Sequence, residues 1–273
     1  MHNSRLSAPP PDLRIIPIDS LLPHEEHDSQ RSKNLVEKFK HADVMINPPL
    51  VAPINATQYV ILDGANRCYT FKQLGYPHIL VQVVSYESGY VDLNTWNHII
   101  SDWELGEFIE EIKQLDGIEI HDEQDSSALA HVILNNGQVL SLRAIVQSTH
   151  ERNTLLRTFV TIYQQQARLY RTAINEPDEL WLLYPQAIAV VLFPEYASAD
   201  IIAAAKYQAF LPPGISRHII HGRALKVNYP LKDLQSETTS LLEKNQRLQQ
   251  WLQEKLAQRN VRYYAEATYQ FDE

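Results

Sequence analysis

Apolar residues in this chain come in short runs punctuated by turn residues. After a proline-rich start over residues 1–12, expected to fray, LRIIPI has the pattern of a short strand, and SQRSKNLVEKFKHA sets Leu35, Val36 and Phe39 at helical spacing. PPLVAPI and QYVILDG are two further strand-like runs. ANRCYTFKQLGYP predicts a helix ending at Gly75 with Pro77 beyond, and HILVQVVSY a strand. Strand, helix, strand, strand, helix, strand is the order of a compact α/β unit, with a boundary expected at residues 95/96.

The pattern changes beyond that point. NTWNHIISDWELGEFIEEIKQL reads as helical in two pieces, and SALAHVILNNGQVLSLRAI as a hairpin turning at Asn136-Gly137. A long helix is expected at about 150–172, with Pro177 breaking the pattern. AIAVVLF follows as a buried strand, SADIIAAAKYQAF as a helix capped by Ser198, and SRHIIHGRALKVNYPL as one long or bent strand. A helix at about 236–258 and an alternating strand, VRYYAEATYQF, close the chain. There are no repeats, and the mixed order predicts α+β rather than a doubly wound parallel sheet, divided as 1–95 and 96–273.

Composition narrows the function classes. With 44% hydrophobic residues over 273 positions, one large core or two modest ones can form. A formal net charge of −9 opposes the broad positive field that nucleic-acid backbones attract, which argues against DNA as a partner. A lone cysteine, Cys68, cannot form an internal disulfide and suits a reducing compartment. MHNSRLSAPPP lacks the apolar core of a secretory signal, and AIAVVLF is too short to span a bilayer. The expectation is a soluble cytoplasmic protein with no membrane partner. Oligomeric state has no signature in the sequence. Neither G-x-G-x-x-G nor G-x-x-x-x-G-K-[ST] occurs among the eight glycines, so a bound nucleotide would need another cradle.

Two segments carry candidate chemistry. In YVILDGANRCYTFKQLGY a strand ends at Asp63-Gly64 and turns directly into a helix with Arg67 in its first turn. Unpaired N–H groups, the positive end of the helix dipole and a guanidinium then face one point, an arrangement suited to phosphate. Gly64 would allow positive φ and close approach of a ligand. The same residues also suit a plain connection in which Asp63 caps the helix and Arg67 lies at the surface. In LLPHEEHD, residues His24, Glu25, Glu26, His27 and Asp28 crowd ionisable groups before a helix. A carboxylate there could act as a general base, or the cluster could simply offset the helix dipole. The histidines are three apart, not the four of a zinc-protease helix.

Taken in order, PIDSLLPHEE, PPLVAPI, YVILDGANR, KQLGY before VQVV, NTWNH, and PPGISRHIIHGRALKVNYPL resemble the free L-serine kinases of the ParB/sulfiredoxin-like superfamily. The likeness is strongest at 15–98 and 211–230 and weak at 100–180. It implies a ParB-like nucleotide-binding and catalytic domain, with an α+β C-terminal domain completing the substrate pocket. The implied reaction moves a phosphoryl group from ATP or ADP, with Mg2+, to free L-serine. The product, O-phospho-L-serine, would feed siderophore or cysteine-type biosynthesis.

By that resemblance Glu25 is the catalytic base, and Asp63, Gly64, Ala65, Asn66 and Arg67 grip the nucleotide phosphates. Asp63 is also implied as a catalytic group and Mg2+ ligand. Family members often have histidine where this chain has Asn66, which can donate a hydrogen bond but carries no charge. His24, Trp96, His98, Arg217, His218 and Arg223 are implied around the serine or the product phosphate. Two other branches of the superfamily fit less well. Sulfiredoxins place a reactive cysteine directly after the turn glycine, where this chain has Ala65. ParB partition proteins carry G-E-R-R where this chain has G-A-N-R, and no basic helix-turn-helix follows. The competing reading is a non-enzymatic ParB-like regulator that binds a nucleotide together with DNA or a protein partner.

Overall fold

The computed structural model describes residues 8–26, 29–123 and 125–264. The described residues form two compact units interleaved in sequence: one from residues 8–22, 29–92 and 218–264, the other from 23–26, 93–123 and 125–217. The apolar pattern had suggested one contiguous boundary.

The first unit is built on a five-stranded sheet. Its strands are β1 (Asp12–Pro17), β2 (Leu21–Pro23), β4 (Leu50–Pro53), β5 (Tyr59–Asp63) and β6 (His78–Val83), in the order β1-β6-β4-β5-β2. β1 runs antiparallel to β6, with Ile15 opposite Leu80, and β4 pairs antiparallel with β5 and parallel with β6. The short strands β3 (Val44–Met45) and β15 (Tyr229–Pro230) make a separate pair. α1 (Ser29–Lys40), α2 (Ala65–Gln73), α7 (Leu231–Gln235) and α8 (Leu241–Ala257) complete the unit. Ile15, Val51, Ile61, Phe71, Ile79, Leu80, Val81, Tyr229 and Leu248 share one core. α8 is fixed to β1 by the Asn245 side chain, which accepts from the Ile15 N–H and donates to its carbonyl. Buried Lys244 donates to the Leu234 carbonyl.

The second unit carries a six-stranded sheet, with β8 (Asn97–Ser101), β9 (Glu119–His121), β10 (Ala130–Leu134), β11 (Val139–Arg143), β12 (Arg168–Thr172) and β13 (Ala187–Leu192) ordered β12-β8-β13-β10-β11-β9. Its helices are α3 (Leu105–Lys113), α4 (Thr149–Gln166), α5 (Pro177–Leu183) and α6 (Ser198–Lys206). Ile99, Leu180, Ala187 and Val190 pack together. Besides residues 23–26, the chain enters this unit along β7 (Val91–Thr95) and leaves it along β14 (Ser216–Ile220).

Residues 12–83 contain each element that the pattern predicts, with a 3-10 turn (Ile18–Ser20) and the short strands β2 and β3 added between them, and the hairpin, AIAVVLF and the mixed α and β composition are as expected. Several later elements differ. NTWNHIIS is strand rather than helix, because β8 lies inside the sheet with all five residues buried, and burial on both faces erases the alternation that marks a half-exposed strand. The helix expected at 150–172 stops at Gln166, where the Ala167 N–H bonds to the Tyr163 carbonyl, and 168–172 become the edge strand β12. Pro177 starts α5 rather than merely breaking a pattern, its fixed φ suiting a first helical position. Ser198 does not cap α6; the Asp200 carboxylate accepts the Ala197 N–H at 2.9 Å instead. The segment 216–231 is two short strands joined by irregular chain, and the last helix begins at Leu241 after a separate short α7. Of the closing strand, 261–264 are not in strand conformation and 265–271 lie outside the described residues. No described helix is long and apolar enough to cross a membrane.

Candidate functional site

In the first unit β5 delivers Asp63 and Gly64 to the start of α2. Gly64 caps the helix at φ 91°, ψ 26°, with no side-chain cap. The N–H groups of the first turn have no acceptor within the helix. A Cβ on Gly64 would stand 2.9 Å from Arg67 Nη2 and 3.0 Å from Pro49 Cβ, so glycine is required for packing as well as for the turn. Asp63 Oδ2 accepts from Arg67 Nη2 at 3.3 Å and from Arg223 Nη2. Burial works to raise the Asp63 carboxyl, but Arg223 and Arg67 outweigh it and hold the group below its ordinary value.

Arg223 reaches Asp63 from 160 residues away in the chain. Gln82, buried on β6, clamps both its neighbours: the side-chain amide donates to the Gly222 carbonyl at 3.1 Å and accepts the Ala224 N–H at 2.8 Å. Asn47 Oδ1 then accepts the Lys226 N–H. The Nε atoms of Arg67 and Arg223 are buried and have no hydrogen-bond partner among the described residues. Buried donors on charged groups rarely stay unsatisfied, so two beside one helix start have the chemistry to receive an anion. Gln82 and Asn47 were not foreseen, although a glutamine inside the apolar run HILVQVV was a signal.

Three further features of this unit bear on the expected site. His218 Nε2 lies 2.8 Å from Tyr86 Oη, and burial pushes the Tyr86 hydroxyl upward. Cys68 is buried and its thiol is pushed by burial up to about 12, so it is not a reactive thiolate. Among the described residues no group of three or more His, Cys, Asp and Glu could hold a metal.

In the second unit Glu25 lies in a short bridge to Leu211, whose N–H donates to the His24 carbonyl and whose own carbonyl accepts from the Glu26 N–H. The turn after Pro212-Pro213 wraps the Glu25 carboxylate. Gly214 N–H donates to Oε2 at 2.7 Å, while Ser216 N–H and Oγ donate to Oε1 at 2.9 and 2.6 Å. His24 Nε2 is 2.7 Å from Ser216 Oγ. Burial works to raise Glu25, but His24, Ser216 and Gly214 overcome it and lower the carboxyl to about 2. The group is a carboxylate at any physiological pH. Glu26 pairs with Arg157 at 3.2 Å. His27 and Asp28 lie outside the described residues.

His98 is fully buried, with Nδ1 2.7 Å from Tyr163 Oη and Nε2 3.3 Å from the Gly214 carbonyl. Burial lowers it to about 4, partly offset by that carbonyl. Both ring nitrogens are thus engaged inside the protein, and His98 supports the turn that holds Glu25 rather than presenting a nitrogen to solvent. Trp96, half-buried, carries the Arg217 guanidinium 4.6 Å over its ring and donates its N–H to Ile215.

The structure therefore gathers the expected residues into two sets. Asp63, Gly64 and Arg67 stand with Arg223 in one unit; Glu25 and His24 stand with Gly214 and Ser216 in the other, with Trp96 stacked on Arg217. Ala65 and Asn66 form the first residues of α2. Gly214 and Ser216 were not foreseen as carboxylate partners, and only PPG preceding the arginine-bearing strand hinted at a fixed turn.

No family model matches the chain. The chain is similar to an ATP-dependent L-serine kinase of Staphylothermus marinus, 36% identical over 109 residues, which are 40% of this chain and 42% of that kinase. The match thus spans less than half the length of that relative. A more distant likeness, 23% identical over 94% of this chain and 96% of the relative, is to the ATP-dependent L-serine kinase SbnI of Staphylococcus aureus. Among solved structures, a free serine kinase in complex with AMP superposes with a TM-score of 0.70, at 16% identity, over 85% of this chain and 97% of its own. That superposition establishes the fold.

Proposed function

We propose that this protein is a nucleotide-dependent free L-serine kinase with a ParB/sulfiredoxin-like nucleotide-binding part, forming O-phospho-L-serine from ATP or ADP. The observation that carries the reading is the glycine-led start of α2, flanked by two guanidiniums whose buried Nε atoms have no partner among the described residues. Such a cradle neutralises phosphate charge without a Walker or Rossmann loop. The similarity to L-serine kinases supplies the acceptor. O-phosphoserine made this way would supply siderophore or cysteine-type biosynthesis in the cytoplasm.

In this reading Arg67, Arg223 and the N–H groups after Gly64 hold the nucleotide's phosphates, with Asn66 as an uncharged donor. Glu25 orients the serine hydroxyl and receives its proton. A carboxyl lowered to about 2 is a weak base. Phosphoryl transfer tolerates this, since the phosphorus–oxygen bond to the leaving phosphate is largely broken before the hydroxyl must lose its proton. The oxygen of serine forms the new bond to phosphorus and the leaving phosphate departs with its electron pair. Arg217, kept in place by Trp96, pairs with the serine carboxylate, and His218 adds a polar contact.

Mg2+ bound with the phosphates would supply charge neutralisation. Asp63 Oδ2 already serves two guanidiniums, so the protein offers a cation at most one oxygen there.

The test is direct. Purified protein with L-serine, Mg2+ and either ATP or ADP should form O-phosphoserine, detectable by phosphorus NMR or mass spectrometry. Glu25→Ala should abolish turnover while nucleotide binding persists. Wild-type protein that binds nucleotide and retains DNA in a salt-dependent way, yet never phosphorylates serine, would overturn the enzyme reading in favour of a regulator.

A further inference from the structure

The two oxygens of Glu25 are not equivalent. Oε1 accepts from the N–H and from the hydroxyl of Ser216, at 2.9 and 2.6 Å, whereas Oε2 accepts from Gly214 N–H alone, at 2.7 Å. A carboxylate oxygen offers about two lone-pair directions. Oε1 has used both and Oε2 has used one.

Ser216 is itself held from behind. Its hydroxyl gives its single proton to Oε1, so its contact with His24 Nε2 at 2.7 Å requires the imidazole to be the donor. His24 Nε2 is 3.6 Å from Oε1, too far for a hydrogen bond of its own. The donor chain therefore runs from His24 through Ser216 to Glu25. The two amides that complete the grip belong to the backbone of the turn at 214–216 and cannot rotate away as a side chain can.

On the kinase reading above, we infer that Ser216, backed by His24, is the positioning residue that occupies Oε1 and so directs the acceptor's proton to Oε2 of Glu25. The proton balance is simple. The acceptor hydroxyl's proton moves to Oε2, its oxygen's electron pair forms the bond to phosphorus, and the bond from phosphorus to the leaving phosphate breaks. Ser216 and His24 keep their protons throughout, acting by fixing the carboxylate's rotation and its remaining lone pair.

Ser216→Ala, Ser216→Thr, His24→Gln and the Ser216→Ala/His24→Gln pair test this by steady-state kinetics with L-serine and ATP, alongside Glu25→Ala. A hydrogen bond to a charged group predicts a fall in kcat of about 10- to 100-fold for Ser216→Ala, with KM for ATP unchanged. Ser216→Thr, which keeps the hydroxyl, should recover most of the rate. Because His24 acts on Glu25 largely through Ser216, with a direct electrostatic contact at 3.6 Å besides, the double variant should be slower than Ser216→Ala by less than the His24→Gln loss alone. Wild-type kcat in Ser216→Ala, failure of threonine to rescue in a variant that still binds ATP, or strictly multiplicative losses in the double variant would each overturn the inference. The parent reading fails separately, if wild type makes no O-phosphoserine or Glu25→Ala retains full activity.

Discussion

Gly64→Ala and Gly75→Ala form a matched pair at the two ends of α2. Both glycines have positive φ, 91° and 72°, so alanine at either strains the backbone by roughly 1–2 kcal/mol. Their surroundings differ. A Cβ at Gly75 meets nothing within 4 Å, whereas at Gly64 it comes within 2.9 and 3.0 Å of the Arg67 guanidinium and 3.0 Å of Pro49. Pro49 has a rigid ring, so Arg67 must move and loosen its 3.3 Å pairing with Asp63. A weakened hydrogen bond between charged groups adds about 1.5–3 kcal/mol to the cost at Gly64. If Arg67 and the turn together grip phosphate, nucleotide affinity should also fall about 10- to 100-fold in Gly64→Ala and stay unchanged in Gly75→Ala. Urea unfolding measures the first quantity and calorimetric titration with ATP and ADP the second. Equal destabilisation by both substitutions would refute the packing argument, and unaltered nucleotide affinity in Gly64→Ala would refute the cradle.

Two other outcomes follow from the second unit. Glu25 is lowered from 4.5 to about 2, so it stabilises the fold fully above its ordinary value, and that contribution is lost as pH falls through 4.5 toward 2. The gap is worth about 3 kcal/mol, and unfolding free energy measured across that window should drop by about this much more in wild type than in Glu25→Gln; parallel curves would refute the assignment. Trp96→Ala removes the surface on which Arg217 rests at 4.6 Å, and should raise KM for L-serine about tenfold while leaving KM for ATP alone. A change confined to the nucleotide side would contradict the placing of Trp96 and Arg217 at the amino acid.

What could be read from the sequence was what is contiguous in it. The strand, glycine and helix of DGANR occupy neighbouring positions, so the geometry of the anion turn follows from local rules for strand ends and helix starts. Arg223 could be placed at that turn only through Gln82, a polar residue in an apolar strand whose partners lie 140 and 142 residues on. The same holds for Glu25, whose hydrogen-bond donors are 189 and 191 residues away. Local pattern reading misassigned NTWNHIIS for a related reason. A strand buried on both faces shows continuous apolar character, and only its neighbours β12 and β13 make it a strand.

The two sets of residues differ in their electrostatics. Asp63 neutralises part of the charge on Arg67 and Arg223, which leaves their Nε donors in place but limits how strongly bare cations would repel one another beside the helix start. Glu25 is held anionic by fixed donors on both oxygens, at the expense of basicity. A site that depended on proton abstraction to drive its reaction would need that carboxyl raised toward neutrality, as desolvation alone would do. Here the surrounding donors reverse the effect of burial. If the protein is a kinase, this arrangement favours bond cleavage at phosphorus running ahead of proton transfer. Under the kinase reading, the rate should depend more on the orientation of Glu25 than on its proton affinity.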